Sequence, residues 1–181
     1  AVLMFGMDAM SGAVEGLRDE PAFTSILTMF SDNPVMGILV GTIFTAIIQS
    51  SSASVGILQA LATNGLIAFP SAVFVLFGQN IGTCVTALIS SIGASKNAKR
   101  AAFIHLYFNL IGTILFMAVF YFINHFVNFA FLSNTAGAAG IAVIHSLFNI
   151  GCAIVLFPFA DKLVALSTFT VKNQTASEPE Q

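Results

Sequence analysis

The sequence predicts an all-α membrane protein that contains a re-entrant helical hairpin and a broken transmembrane helix. Of its 181 residues, 57% are hydrophobic and only 8% are charged, and the mean hydropathy is +0.93. Soluble globular domains carry about 25% charged residues, so this composition indicates a lipid environment. Several segments also run for about twenty residues without a charge, which is the length that an α-helix needs to cross a bilayer.

Apolar content extends along the chain, so residues 1–160 are predicted to form one transmembrane domain without a separate soluble domain. Turn signals and charged residues divide this domain into elements. The predicted elements are a helix at 1–17, a short helix at 22–30, a re-entrant hairpin at 34–69, a broken helix at 70–93, spans at 101–132 and 138–160, and a short segment with a polar tail at 161–181.

The hairpin prediction rests on the stretch TAIIQSSSASVGILQALA, in which Gln49, Ser50, Ser51 and Ser52 interrupt the apolar residues. Each arm of the hairpin has about 16 residues, or about 24 Å of helix, which is short for a complete crossing. We therefore expect the segment to enter the membrane and return, with the four polar residues at its tip.

The broken helix is predicted in the stretch PSAVFVLFGQNIGTCVTALISSIG, residues 70–93. Its total length suits one span, but Gly78, Gln79, Asn80, Gly82 and Thr83 interrupt its centre. Because each half is too short to cross alone, we expect a single helix that is interrupted near its midpoint.

The basic residues predict the orientation in the cell membrane. Lys96, Lys99 and Arg100 precede the 101–132 span, and Lys162 and Lys172 follow the last span. Loops rich in Lys and Arg tend to stay cytoplasmic, so the 95–100 loop and the C-terminus are predicted to lie inside. With a formal net charge of −2, the chain has no basic face that would bind nucleic acid.

The two interruptions offer complementary ligands. Irregular backbone at membrane depth is tolerated where protein or a water-filled cavity satisfies it. Three Ser hydroxyls, a carboxamide and the N–H groups of the helix that begins near Ala53 would cradle an anion. The oxygens of Gln79, Asn80, Thr83 and Thr86 are hard ligands that suit a small alkali cation.

The need to compensate charge connects binding of the anion to binding of the cation. An anion such as phosphate is very costly at membrane depth unless its charge is compensated, and no Lys or Arg lies within the predicted spans. Co-bound cations could supply the compensation. A site that holds an oxyanion only together with cations couples their movements, which is symport.

Other interpretations of these residues stay open. Ser and Gln in membrane helices often act only as packing contacts. Cys84 and Cys152 occur without a CxxC motif and favour buried small residues over redox or metal roles. The repeated I-H-x-x-F-N pattern, which contains His105 and His145, favours interhelical packing over ligand contact. An enzyme is disfavoured because Ser51 has no plausible base partner.

Three stretches carry a resemblance to a known family. TAIIQSSSASVGILQALA, FGQNIGTCVTALISSIGASKNAKRAAFIHLYFN and FGMDAMSGAVEGLRDEPAF resemble the second half of the type II sodium-phosphate cotransporter family, including its bacterial members. The resemblance spans nearly all of residues 1–160. It implies sodium-driven phosphate uptake by two inverted repeats, each with a QSSS hairpin and a following broken helix.

The resemblance also implies ligand residues, with phosphate at Gln49, Ser50, Ser51 and Ser52. The sodium ligands predicted from the residues and the resemblance together are Gln49, Ser51, Gln79, Asn80, Thr83 and Thr86. Sodium would be a co-transported ion.

One feature departs from the family pattern, because this chain carries one QSSS motif where family members carry two. Either the chain lacks a first half, which its abrupt N-terminus favours, or two copies pair in antiparallel fashion. Inverted-repeat transporters build their site between the halves, so the partner completes the site. Transport of another oxyanion, such as sulfate or arsenate, and a non-transporting membrane subunit are the remaining alternatives.

Overall fold

The described part of the chain is built from helices. The computed structural model describes residues 33–127 and 137–172, with isolated positions at 2, 5, 6, 9, 12, 13 and 21. No β-strand occurs in these ranges, which agrees with the all-α prediction. The predicted helices at 1–17 and 22–30 lie outside the described ranges. The helices are α1 (Pro34–Ile48), α2 (Ser51–Thr63), α3 (Phe69–Ser90), α4 (Lys96–Val127), α5 (Ala138–Leu156), a 3-10 turn (Phe157–Phe159) and α6 (Ala160–Thr170).

Three helical stretches are long and apolar enough to cross a membrane: Phe69–Ser90, Lys96–Val127 and Ala138–Thr170. The prediction of an all-α membrane protein is thereby confirmed. In contrast, α1 has 15 residues and α2 has 13, and both are shorter than the roughly 20 residues of a complete crossing.

The break between α1 and α2 is confined to Gln49 and Ser50. Gln49 ends α1 in the left-handed conformation, with φ at 56°, which is uncommon outside glycine. Its backbone N–H donates to the carbonyl oxygen of Thr45 at 2.7 Å. Ser50 is extended and caps α2, because its Oγ accepts from the Ala53 N–H at 3.3 Å. A helix, a break and a second helix are therefore present between 34 and 69, but the second helix begins at Ser51 and ends at Thr63 instead of running from 53 to 69. That this pair re-enters the membrane stays a prediction.

The prediction of a second break, in 70–93, is wrong because α3 is one continuous helix of 22 residues. The polar side chains leave the helix intact because they bond to its own backbone. Asn80 Nδ2 donates to the Leu76 carbonyl oxygen at 3.0 Å, and Thr83 Oγ1 donates to the Asn80 carbonyl oxygen at 2.6 Å. The glycines of this stretch serve helix packing instead.

Glycines bring the backbones of α1 and α3 into direct contact. A methyl group on Gly78 would lie 2.0 Å from the carbonyl oxygen of Ile38, and one on Gly41 would lie 2.0 Å from that of Val75. Thr42 Oγ1 adds a hydrogen bond to the Gly78 carbonyl oxygen at 3.1 Å. Small residues allow this close approach between helices in a membrane, where burial alone gives little drive to associate.

The order of contacts fixes the directions of the first three helices. Gly37 approaches Phe74, and further along α1 Thr45 approaches Gly82, so α1 and α3 run parallel. The intervening α2 returns in the opposite direction. Its apolar side packs into a buried cluster of Leu58, Ala62, Ile67, Ala72, Val75, Leu76 and Ile141. Both ends of the hairpin therefore lie beside the first half of α3, and the break lies beside its second half.

The remaining helices pack around α3. The Phe148 ring of α5 lies 4.9 Å from Phe77 of α3 and 5.1 Å from Phe116 of α4, measured between centroids. After the 3-10 turn, α6 continues in the direction of α5 along the first half of α4, where Tyr107 contacts Thr170. Arg100 Nη2 donates to the carbonyl oxygen of Val171 at 3.0 Å. This bond joins the start of α4 to the end of α6.

Two predicted boundaries need correction. α4 begins at Lys96, so the three basic residues predicted in a 95–100 loop all lie on its first turns. α4 is described as far as Val127, and the end of the predicted 101–132 span lies outside the described residues. Within the predicted span at 138–160, α5 ends at Leu156 because Pro158 lacks the backbone N–H that would continue the helix, but the apolar helical stretch continues to Thr170. The segment that follows is helical through Thr170.

Gly78→Ala should destabilise the protein by about 1–3 kcal/mol, because the new methyl group meets backbone that has no side-chain freedom with which to move away. Gly137→Ala is the matched control, since a methyl group there meets nothing within 4 Å. Thermal unfolding is measured in detergent as the fraction of protein that remains monodisperse at each temperature. Equal unfolding temperatures for the two variants would contradict the backbone contact between α1 and α3.

Candidate functional site

The break at Gln49 and Ser50 places two opposite helix ends next to each other. The last turn of α1 presents carbonyl oxygens without helical partners, and the first turn of α2 presents N–H groups without them. These ends carry partial negative and partial positive charge, respectively. A cation is therefore favoured on the α1 side of the break and an anion on the α2 side.

The side chains at the tip add neutral donors and acceptors. Gln49, Ser51 and Ser52 are exposed, and Ser50 is half-buried. The Ser50 hydroxyl oxygen accepts the capping bond from Ala53. Within the described ranges, the hydroxyls of Ser51 and Ser52 make no hydrogen bond to another residue, so both are available to a ligand at the start of α2.

A buried polar cluster lies directly behind the tip and joins all three helices. Thr45 Oγ1 of α1 and Ser54 Oγ of α2 share a hydrogen bond of 2.7 Å. Gln79 Nε2 of α3 donates to the carbonyl oxygen of Ser54 at 3.0 Å. Thr45 and Ser54 are fully buried and Gln79 is 2% exposed. The structure thus brings the predicted ligand Gln79 to the hairpin.

Gln79 also presents a free acceptor. Its Oε1 is buried and has no hydrogen-bond partner among the described residues. Leaving a buried polar atom unsatisfied costs about 1–3 kcal/mol. A ligand that bonds to Oε1 would remove this cost, which makes the oxygen a candidate ligand atom. A carboxamide oxygen is a hard ligand of the kind that a small cation binds, and the other end of the same carboxamide bonds to Ser54 of the hairpin.

The four predicted sodium ligands of α3 lie on two faces of the helix. Gln79, Thr83 and Thr86 follow one another at spacings of four and three residues and share the face toward the hairpin. Thr83 is half-buried and Thr86 is exposed. Asn80 is 6% exposed and faces α5 instead, where its Oδ1 lies 3.3 Å from Nε2 of His145.

No charged side chain belongs to α1, α2 or α3, because the sequence contains no Asp, Glu, Lys or Arg between Asp32 and Lys96. Among the described residues there is also no cluster of three His, Cys, Asp or Glu that could hold a metal ion. An anion at the tip would therefore meet helix dipoles, hydroxyls and any bound cation rather than a basic side chain of these helices.

The structure distinguishes the two copies of I-H-x-x-F-N. Asn109 and Asn149 donate in the same way to the carbonyl oxygens one turn earlier, those of His105 and His145, at 3.0 and 2.8 Å. The His105 side chain is exposed, and that of His145 reaches Asn80. The predicted interhelical hydrogen bond therefore exists for His145.

Sequence analysis missed Thr45, Ser54 and the contact of His145 with Asn80. The available signal for the first two was their position, each one turn away from the polar break. Cys84 and Cys152 are free and buried, in agreement with the packing interpretation. Cys84 Sγ accepts from Asn109 Nδ2 at 3.4 Å, so it contributes to contact between α3 and α4.

Comparison with known families gives one match that covers most of the chain. A family model described as Na+/Pi-cotransporter matches residues 2–138. No solved structure gives a significant match.

Curated relatives align with about half to nearly all of this chain and extend well beyond it. "Uncharacterized protein YqeW" of Bacillus subtilis (strain 168) is 30% identical over 88% of this chain and 51% of its own length. YjbB of Escherichia coli (strain K12), provisionally named as an inorganic phosphate export protein, is 21% identical over 96% of this chain and 31% of its own length. "Sodium-dependent phosphate transport protein 2A" of Rattus norvegicus is 35% identical over 47% of this chain and 14% of its own length.

Proposed function

The chain belongs to the Na+/Pi-cotransporter family, and on that premise we propose that it forms one half of a sodium-coupled symporter of inorganic phosphate. Membership of a transporter family also agrees with the expectation that the chain is not an enzyme. The chain spans about half the length of YqeW and about a third of that of YjbB, so the proposal concerns the larger protein or assembly to which the chain contributes.

The observation that carries the proposal is the uncharged helix break with a free buried acceptor behind it. Phosphate would bind at the start of α2, where backbone N–H groups and Ser hydroxyls act as donors. The residues proposed to contact it are Gln49, Ser50, Ser51 and Ser52. A tetrahedral oxyanion with several acceptor oxygens matches this set of donors.

Sodium would bind around the end of α1 and along α3, on its face toward the hairpin and, through Asn80, on its face toward α5. The proposed ligands are Gln49, Ser51, Gln79, Asn80, Thr83 and Thr86. The buried Oε1 of Gln79 supports this assignment, because a hard cation would satisfy it. With no basic side chain in α1, α2 or α3, sodium would also neutralise part of the phosphate charge, and this would couple the two substrates.

A second half would complete the site. A hairpin that does not cross the bilayer needs protein or a water-filled cavity around its break. One side of α1 is apolar and exposed along its length, through Val35, Leu39, Ile43 and Ile47. These residues recur at every fourth position and form one face, on which a first-repeat half would pack. A second copy in an antiparallel homodimer is the alternative occupant.

We assign the start of α4 and the C-terminus to the cytoplasmic side of the cell membrane. Lys96, Lys99 and Arg100 lie on the first turns of α4, and Arg100 bonds to the end of α6, so both regions lie on one side.

A cysteine at Ser95 should react with an impermeant maleimide in inverted vesicles. Reaction in intact cells alone would contradict this orientation.

Ser51→Ala should raise the phosphate concentration required for half-maximal sodium-driven uptake by about tenfold to a hundredfold. The lost bond is one between a hydroxyl and a charged ligand, worth about 1.5–3 kcal/mol. Ser146→Ala is the control, because its exposed hydroxyl bonds only to the Ala142 carbonyl oxygen of its own helix. The measurement is labelled phosphate uptake into vesicles under a sodium gradient.

Two outcomes would count against the proposal. If Ser51→Ala behaves like Ser146→Ala in folded, inserted protein, the tip hydroxyls are packing residues. If sulfate or arsenate is taken up in preference to phosphate under the same gradient, the anion assignment is wrong although the coupling mechanism stands.

A further inference from the structure

We propose that His145 is a positioning residue that fixes the carboxamide oxygen of Asn80 for sodium binding on the side of α3 that faces α5. This inference rests on the proposed function, in which Asn80 is a sodium ligand. It adds to that site a residue from α5, a helix in which no ligand was predicted. His145 itself makes no contact with the ion.

Hydrogen-bond chemistry fixes which end of the Asn80 side chain faces His145. The carbonyl oxygen of Leu76 can only accept, so the atom of Asn80 that lies 3.0 Å from it must be the amide nitrogen, Nδ2. The carboxamide oxygen then faces α5. Because that oxygen is also an acceptor, the ring nitrogen of His145 at 3.3 Å must carry the hydrogen and donate it.

This pair of bonds holds the carboxamide at both ends. Asn80 is 6% exposed, and its two partners come from different helices. A carboxamide oxygen has two lone pairs, so Oδ1 can accept from His145 and still ligate a cation. Without the imidazole, the amide could rotate away from the geometry that the cation needs. In metal sites, hydrogen bonds from neighbouring residues likewise fix the orientation of the ligands.

The position of His145 is itself fixed by packing. Ile141 and Phe148 lie one turn to either side of it on α5, and both are almost completely buried. Phe148 contacts Phe77 of α3 at 4.9 Å between centroids, so α5 is held against α3 one turn from Asn80. His145 can therefore position a side chain on α3 reproducibly.

The test compares three substitutions in the complete protein that carries this chain, by measuring sodium activation of phosphate uptake. His145→Ala should raise the sodium concentration for half-maximal uptake by about threefold to tenfold, the effect of one neutral hydrogen bond. The half-saturating phosphate concentration at saturating sodium should stay unchanged. His145→Gln should restore the sodium dependence, because its amide nitrogen lies near the place of Nε2. His145→Asn is too short and should resemble His145→Ala.

Asn149→Ala is the matched control, since Asn149 is exposed and its side chain bonds only to the His145 carbonyl oxygen of its own helix. An unchanged sodium dependence in His145→Ala would overturn the proposal. So would failure of Gln to restore it, or a shift of equal size in Asn149→Ala, because these results would indicate a general packing role.

A measurement without substrates separates failure of this inference from failure of the proposed function. Thermal unfolding of His145→Ala, Asn80→Ala and the double variant forms a double-mutant cycle, in which contacting residues should show non-additive effects. If wild-type protein shows no sodium dependence, the proposed function fails and the positioning role fails with it. Additive effects in the cycle would instead overturn the contact between His145 and Asn80, whatever the transport result.

Discussion

The contact between the backbones of α1 and α3 determines the position of every other feature of the site. Gly41 and Gly78 allow the two helices to approach until a methyl group would lie 2.0 Å from a carbonyl oxygen of the facing helix. Thr45 is thereby held beside Gly82 and within reach of Ser54. The tip of the hairpin then lies beside the second half of α3, with Gln79 behind it.

The interior separates polar groups that stabilise the fold from polar groups that are available to ligands. Thr42, Thr45 and Asn109 all use their side chains in hydrogen bonds within or between helices. Such bonds let polar residues lie in an apolar environment at little cost. The hydroxyls of Ser51 and Ser52 at the hairpin tip and the buried Oε1 of Gln79 behind it differ, because they have no such partners among the described residues. This contrast, and not polarity alone, identifies the candidate site.

Sequence analysis correctly predicts the helical class, and the predicted interruption at Gln49–Ser52 contains the break that the structure confines to Gln49 and Ser50, because long uncharged apolar stretches and a run of helix-capping residues are local signals. It is wrong in α3, where the same residue types predict a second break. Glycine and asparagine weaken an isolated helix, but here Gly78 and Gly82 face α1 and Asn80 bonds back to Leu76. Whether a glycine breaks a helix or packs it depends on a facing helix, which local sequence does not reveal. For the same reason, the contact of His145 with Asn80, across 65 residues of chain, could not be predicted.

The central claim of this account is that phosphate and sodium bind together at the hairpin tip. It is tested most directly by introducing a cysteine at Ser52, which is exposed at the tip, and measuring its rate of labelling by a hydrophilic thiol reagent. The native cysteines, Cys84 and Cys152, are both fully buried and should react slowly. We predict that phosphate slows labelling in sodium medium and has no effect when choline replaces sodium. Equal protection by phosphate in both media would show that sodium does not complete the anion site, and no protection in either would place phosphate elsewhere.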